Sequence, residues 1–220
     1  MEIFQFLLAP FAASLILTGI HAYLGVHVVE RGVIFVDLAL AQIAALGATI
    51  AVMLGMDPHG GSAYWFSLGF TFLGAGLFAL FRARRVHIPQ EAFIGIAYAV
   101  ASAAAILAMS KATSETEHLK DMLVGNILAV SWREVGRTAI LYGGIGIFHY
   151  LFRRRFLQIS TDPRGAEAEG ISIRLWDFLF YASFGFVVTS SVAIAGVLLV
   201  FCYLIAVSYT HLTLPTKRIV

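Results

Sequence analysis

Long stretches with little or no charge recur along the chain, at residues 3–26, 33–55, 63–81, 92–109 and 136–152, with short polar segments between them. A hydrocarbon core about 30 Å thick is crossed by about 20 helical residues, so each stretch predicts a spanning helix. A last run, residues 178–206, holds 29 residues without a charge. As one helix rising about 1.5 Å per residue it would reach about 43 Å, well beyond the core. Two helices meeting near Thr189-Ser190-Ser191 resolve the excess, although the second is then short. The pattern predicts an all-α, polytopic membrane helix bundle of about seven spans.

Composition agrees with the pattern. Hydrophobic residues make up 60% of the chain and charged residues 13%, with a mean hydropathy of +0.85. A soluble domain carries about 25% charged residues, so this chain cannot cover itself with a polar surface and membrane lipid is its solvent. Met1-Glu2 offers no basic n-region and no small-residue cleavage site closes the first run. Residues 3–26 therefore read as a retained helix, not a signal peptide. Cys202 is the only cysteine, which excludes an internal disulfide. Residues 207–220 have neither the period nor the hydropathy of a span, and 207–216 resemble a translated sequencing-library adapter. The expectation is a non-native tail on a chain that continued in the membrane.

Basic residues set the orientation. Arg82, Arg84 and Arg85 follow the third run; Arg153, Arg154, Arg155, Arg164 and Arg174 follow the fifth. Residues 56–62 carry no basic Lys or Arg, and 110–134 offset Lys111, Lys120 and Arg133 with four acids. The arginine-rich loops and the short one at Arg31 face the cytoplasm, with the N-terminus outside. Small residues predict helix contacts, because close backbone approach replaces the hydrophobic drive in lipid. Ala97, Ala101 and Ala105 share one face of the fourth span, and Ala41, Ala45 and Thr49 one face of the second; Gly143, Gly144 and Gly146 loosen or closely pack the fifth. A compact bundle follows.

Polar residues inside apolar runs are the candidate chemistry. A carboxylate at membrane depth costs about 2.5–3.5 kcal/mol on insertion scales, so Asp37 marks either a polar route across the bilayer or a pair with a nearby base such as Arg31. Gln42 lies roughly 500° further round the helix, hence about 140° away; it lines the same route or bonds across helices. Asn126, in Leu123-Val-Gly-Asn-Ile-Leu128, belongs to a half-length apolar segment. There the Gly-Asn pair permits a re-entrant break where protein or water covers the backbone. Glu91 follows Pro89-Gln90 and reads as a helix-start acid. His21, His27, His59, His87, His118 and His149 show no His-x3-His spacing, so local spacing predicts no zinc site and no metal ligand is assigned. No Gly-x4-Gly-Lys-[Ser/Thr] occurs, which excludes that device for holding a nucleotide. No catalytic grouping or nucleic-acid signature stands out. The loop over residues 158–177 contains Asp162-Pro-Arg-Gly-Ala-Glu-Ala-Glu-Gly170, a short helical patch between turn formers that suits either docking on a soluble partner or a solvated connection.

In order and spacing, four stretches resemble the permease subunits of bacterial ABC importers for zinc, manganese and iron(II): residues 31–47, Glu91-Ala-Phe-Ile-Gly-Ile96, residues 123–130, and Asp162 through Ala166 and Gly170 to residues 192–200. The resemblance implies a transmembrane permease domain over residues 1–206, incomplete at its C-terminus, in the bacterial cytoplasmic membrane. It also implies a second permease copy, a cytoplasmic ABC ATPase dimer and an external metal-binding solute-binding protein as partners, with no cofactor and no ATPase site of its own. Asp37, Gln42 and Asn126 would line the translocation path; Asp162, Ala166 and Gly170 would couple to the ATPase. One departure stands out. Where much of the family carries Asp-x3-His on the second span, this chain has Leu38 and Gln42, with Asp37 one residue early, and Gln is a poor zinc ligand beside imidazole. An ABC permease for a metal chelate such as a siderophore would show small and aromatic residues along a wider path. An ion-coupled secondary transporter would work without an ATPase, with Asp37 as its titrating group.

Overall fold

The computed structural model describes residues 2–57, 60–82, 89–110 and 125–213. Its helices are α1 (Glu2–Glu30), α2 (Val36–Met53), α3 (Gly61–Arg82), α4 (Gln90–Met109), α5 (Trp132–Leu151), α6 (Arg153–Thr161), α7 (Pro163–Ala168) and α8 (Ile173–Thr213), with a 3-10 turn at Ile127–Ala129 before α5. Described residues contain no strand, as expected of backbone that must satisfy itself in lipid. Arg84, Arg85, His59, His87, His118, Lys111 and Lys120, together with residues 123–124 and 214–220, lie outside the described residues.

α1 ends in a Schellman turn. Gly32 N–H donates to the Val29 carbonyl and Val33 N–H to the Val28 carbonyl, while Val28 and Val33 are both fully buried. This motif satisfies the orphan carbonyls of the last turn and turns the chain back on itself. The short link from α1 to α2 is thus rigid, and Arg31 is carried in it.

α2 packs between α3 and α4, and α8 packs along α1 and α3. One core runs along these seams, with Leu17, Leu24, Leu40, Phe78, Ile94, Phe156, Tyr181 and Phe184 almost wholly buried. A smaller cluster, Ala9, Ala13, Val130 and Val135, joins α1 to the first turn of α5 and the segment before it. Small residues occupy the contacts as expected: Ala41, Ala45 and Thr49 on α2, and Ala101 and Ala105 on α4, are buried. Gly143 and Gly144 on α5 instead face open space. The outer surface is apolar, with Leu73, Leu107, Ile140 and Ile147 among the exposed residues, a surface suited to lipid and not to water.

α1, α2, α3, α4 and α8 are long and apolar enough to cross a membrane. α5 is long enough at 20 residues but less apolar, because Glu134, Arg137 and His149 fall within it. α8 extends over 41 residues with one non-helical position, Gly196, at φ 74 and ψ 161. Counting α5 and both limbs of α8 returns about seven rods; by length and apolarity alone, the described residues hold five spans.

The break in α8 falls at Gly196, not at Thr189-Ser190-Ser191. Ser190 and Ser191 bond back to the Phe186 and Val187 carbonyls, which satisfies their hydroxyls inside a continuing helix. Gly196 takes a conformation essentially reserved for glycine, and the freed Ile194 carbonyl receives the N–H of Asn126 at 3.2 Å. The chain also remains helical through Thr213, beyond where the apolar period ends. Ser208 donates to the Ala22 carbonyl of α1 at 3.1 Å.

Candidate functional site

At the end of the bundle that carries Arg31, Arg82 and α6, charged groups are drawn into the interior around Asp177. Arg31 Nη1 donates to Asp177 Oδ1 at 2.6 Å and Arg82 Nη1 to the same oxygen at 2.9 Å. The side chains of Arg31 and Asp177 are fully buried. The Arg31 guanidinium also lies over the Phe180 ring, 3.9 Å from its centroid, a cation–π contact strengthened by desolvation. Gln90, at the start of α4, donates to the Tyr181 hydroxyl at 3.0 Å and to the Phe78 carbonyl at 3.1 Å. The α1–α2 turn and the adjoining ends of α3, α4 and α8 therefore meet at one point.

The same arginines hold α6. Arg31 Nε donates to Ser160 Oγ at 2.9 Å, and Arg82 Nη2 donates to the Ile159 carbonyl at 2.9 Å. Phe156 and Ile159 are fully buried beneath them, where Phe156 stacks on His149 at 4.3 Å. α6 is thus seated in the bundle by its apolar face, while Arg153, Arg154 and Arg155 stay exposed.

α7 projects from this seat. Asp162 caps it by accepting from the Gly165 N–H at 2.9 Å, with Pro163 in the first turn, the arrangement expected of a helix start. Ala166 is its one buried residue. Gly170, at φ +78, ends it with N–H bonds from Gly170 and Ile171 to the Glu167 and Ala166 carbonyls, the same Schellman geometry that closes α1. Arg164, Glu167, Ala168 and Glu169 are exposed. The outcome is a short, doubly capped helix held at a fixed angle and offered to solvent.

Asp37 is nearby but not in this network. It is 2% exposed, and its Oδ1 accepts the Leu38 N–H at 2.7 Å; Arg31 pairs with Asp177 instead of Asp37. Glu91 stands in the first turn of α4, as expected of a helix-start acid, but makes no cap hydrogen bond there. Its Oε1 accepts the Phe35 N–H at 2.9 Å and so serves the start of α2. Gln42 is half-buried further along α2, and Asn126 is exposed.

Asn126 belongs to the opposite end. Its neighbour cluster includes Ala13 on α1, 17 residues before Glu30 and hence about 25 Å along the axis. Asp37, Gln42 and Asn126 are not brought together. A crevice of about 510 Å³ between α1 and α5, lined by Gly19, Tyr23, Tyr142, Gly146 and Arg153 among others, contains none of them. His21, His27 and His149 are buried and bonded to Ser191, Ser160 and Ser183. Among the described residues no group of three His, Cys, Asp or Glu is placed to hold a metal ion.

Apolar helices with lipid-facing surfaces, a charged hub at one end and a projecting capped helix define a multi-pass membrane protein. The chain belongs to the ABC 3 transport family, whose model matches residues 3–217. It is 28% identical over 211 residues to a protein of Haemophilus influenzae named a probable iron transport system membrane protein, covering 96% of this chain and 75% of that one. The manganese transport system membrane protein MntC of Listeria monocytogenes is 27% identical over 215 residues, covering 97% and 74%. The fold matches a chain in the structure of PsaBC from Streptococcus pneumoniae with Fab, with a TM-score of 0.71, 22% identity and coverage of 90% of this chain and 69% of that one.

Proposed function

We propose that this chain is the membrane-spanning permease subunit of an ATP-driven importer of divalent metal ions, with manganese, iron(II) and zinc as candidate cargo. The relatives' names for iron and manganese transport support the cargo class. The observation that carries the coupling reading is α7, a six-residue helix with one buried residue, capped at both ends and projecting among arginines. In this reading a cytoplasmic ABC ATPase dimer grips α7, with Asp162 fixing its start, Ala166 rooting it and Gly170 setting its exit. Hydrolysis belongs to that partner, since the sequence has no Gly-x4-Gly-Lys-[Ser/Thr]. A second permease copy completes the path, and an external solute-binding protein delivers the metal. Asp37 and Gln42 are its polar steps along α2 and Asn126 lies near its outer mouth. ATP-driven closure pushes α7 and shifts the bundle between outward- and inward-open populations.

The test is co-purification of the ATPase with wild type, Gly170→Arg and Gly170→Ala. Both variants carry the strain of a side chain at φ +78, about 1–2 kcal/mol. Only the arginine adds bulk and charge in the open space beside α7, so the alanine variant separates blocked docking from a strained helix exit. Loss of the ATPase from a Gly170→Arg chain that still inserts is expected. An ATPase that stays bound to it as in wild type contradicts docking at α7.

A further inference from the structure

We propose that Arg31, Arg82 and Asp177 form the clamp through which movement of α7 reaches the membrane helices; the proposal rests on the permease reading above. Each arginine makes a two-way connection. One N–H group goes to Asp177 Oδ1 at the start of α8, and a second goes to the last turn of α6, from Arg31 to Ser160 and from Arg82 to the Ile159 carbonyl. Ile159 and Ser160 immediately precede Thr161 and the Asp162 cap. The base of α7 is therefore bonded to the α1–α2 turn through Arg31 and to the end of α3 through Arg82.

Burial makes this connection stiff. Arg31 and Asp177 have no exposed side-chain surface, so water cannot substitute for a broken bond, and the rigid α1 terminus keeps Arg31 from swinging away. Arg31 also lies six residues before Asp37. A push on α7 that displaces Ser160 therefore drags the start of the helix holding Asp37. The clamp is also incomplete. Asp177 Oδ1 carries both arginines, while among the described residues its buried Oδ2 and the Arg31 Nη2 have no partner. A static rivet gains from filling both oxygens. A moving one needs a spare acceptor, and Oδ2 lets an arginine change oxygens as α6 and α7 shift, with no charge stranded in a dry interior. Because Gln90 and Arg31 both meet the Tyr181 neighbourhood, α4 is reached by the same route.

Arg82 is the member to change, since its side chain keeps 13% exposure and its loss leaves the Arg31–Asp177 pair intact. Wild type, Arg82→Gln and Arg82→Lys are each reconstituted in vesicles with the ATPase and binding protein, and ATP hydrolysis and radioactive Mn2+ uptake are followed together. Both variants should bind the ATPase and hydrolyse ATP, while ions moved per ATP fall about tenfold in Arg82→Gln and less in Arg82→Lys. A merely structural role lowers uptake and hydrolysis in parallel, and an unchanged ratio in Arg82→Gln overturns the clamp. Should Arg82→Gln fail to accumulate, Arg82→Lys decides, and a wild-type ratio there overturns it equally. A wild-type chain that binds no ATPase sinks the permease reading and the clamp with it.

Discussion

Replacing Gly125 by alanine measures how the break in α8 is sealed. Gly125 has φ +65, and a Cβ there would collide with the backbone of Ala195 and Gly196. Two costs add. The left-handed conformation costs an alanine about 1–2 kcal/mol. Relieving the collision moves the segment off α8, breaks the Asn126 N–H bond to the carbonyl of half-buried Ile194, and leaves that acceptor unpaired at about 1–3 kcal/mol. The sum is about 2–5 kcal/mol. Gly32→Ala is the control: its φ is +66, but nothing lies within 4 Å of the added Cβ, so only the conformational cost of about 1–2 kcal/mol applies. In thermal unfolding of the detergent-solubilised protein, each kcal/mol moves Tm by about 2–4 °C for a chain of this size. Gly125→Ala should therefore melt about 2–12 °C below Gly32→Ala. Equal melting temperatures would refute the argument that this turn seals the broken helix.

Asp37→Asn keeps the size of a side chain that is 2% exposed while removing its charge; membrane insertion should be unchanged and Mn2+ uptake reduced about tenfold or more, and uptake at the wild-type level would remove Asp37 from the path. Glu134 caps α5 reciprocally with Ser131, and the backbone N–H and hydroxyl of Ser131 hold its carboxyl below the usual range. A depressed folded value means that its stabilisation is present at neutral pH and is lost as pH falls through that value. The Tm advantage of wild type over Glu134→Gln should shrink to nothing in acid, and an advantage that persists there would contradict the capping box as its source.

Much of the fold was legible because lipid removes options. Runs of about 20 apolar residues have no outcome but helices, and the small-residue faces of α2 and α4 became contacts as their spacing predicted. The break in α8 falls at Gly196, five to seven residues beyond the Thr189-Ser190-Ser191 junction the sequence suggests, since a serine that bonds back to its own helix looks polar in sequence but interrupts nothing. The capping box at Ser131-Trp-Arg-Glu134 follows the Ser-x-x-Glu pattern, a signal in the sequence that marks the start of α5. Sequence proximity offers Arg31 the carboxylate of Asp37, six residues away, whereas its partner is Asp177, 146 residues on. Asp177 itself sat at the edge of a loop beside an apolar run and carried no spacing signal. Its importance depends on a three-way meeting of α3, α6 and α8 that one-dimensional periodicity does not contain. Glu91 sits in the first turn of α4 as its position predicts, but its bond to Phe35 at the start of α2 is likewise invisible to periodicity.

The most direct measurement is Mn2+ entry into vesicles containing this chain alone, this chain with its ATPase and binding protein, and the same complex without ATP. Accumulation only in the complete, ATP-supplied system is the expected result. Ion movement by the chain alone at the same rate would contradict the account, because α7 would then transmit nothing.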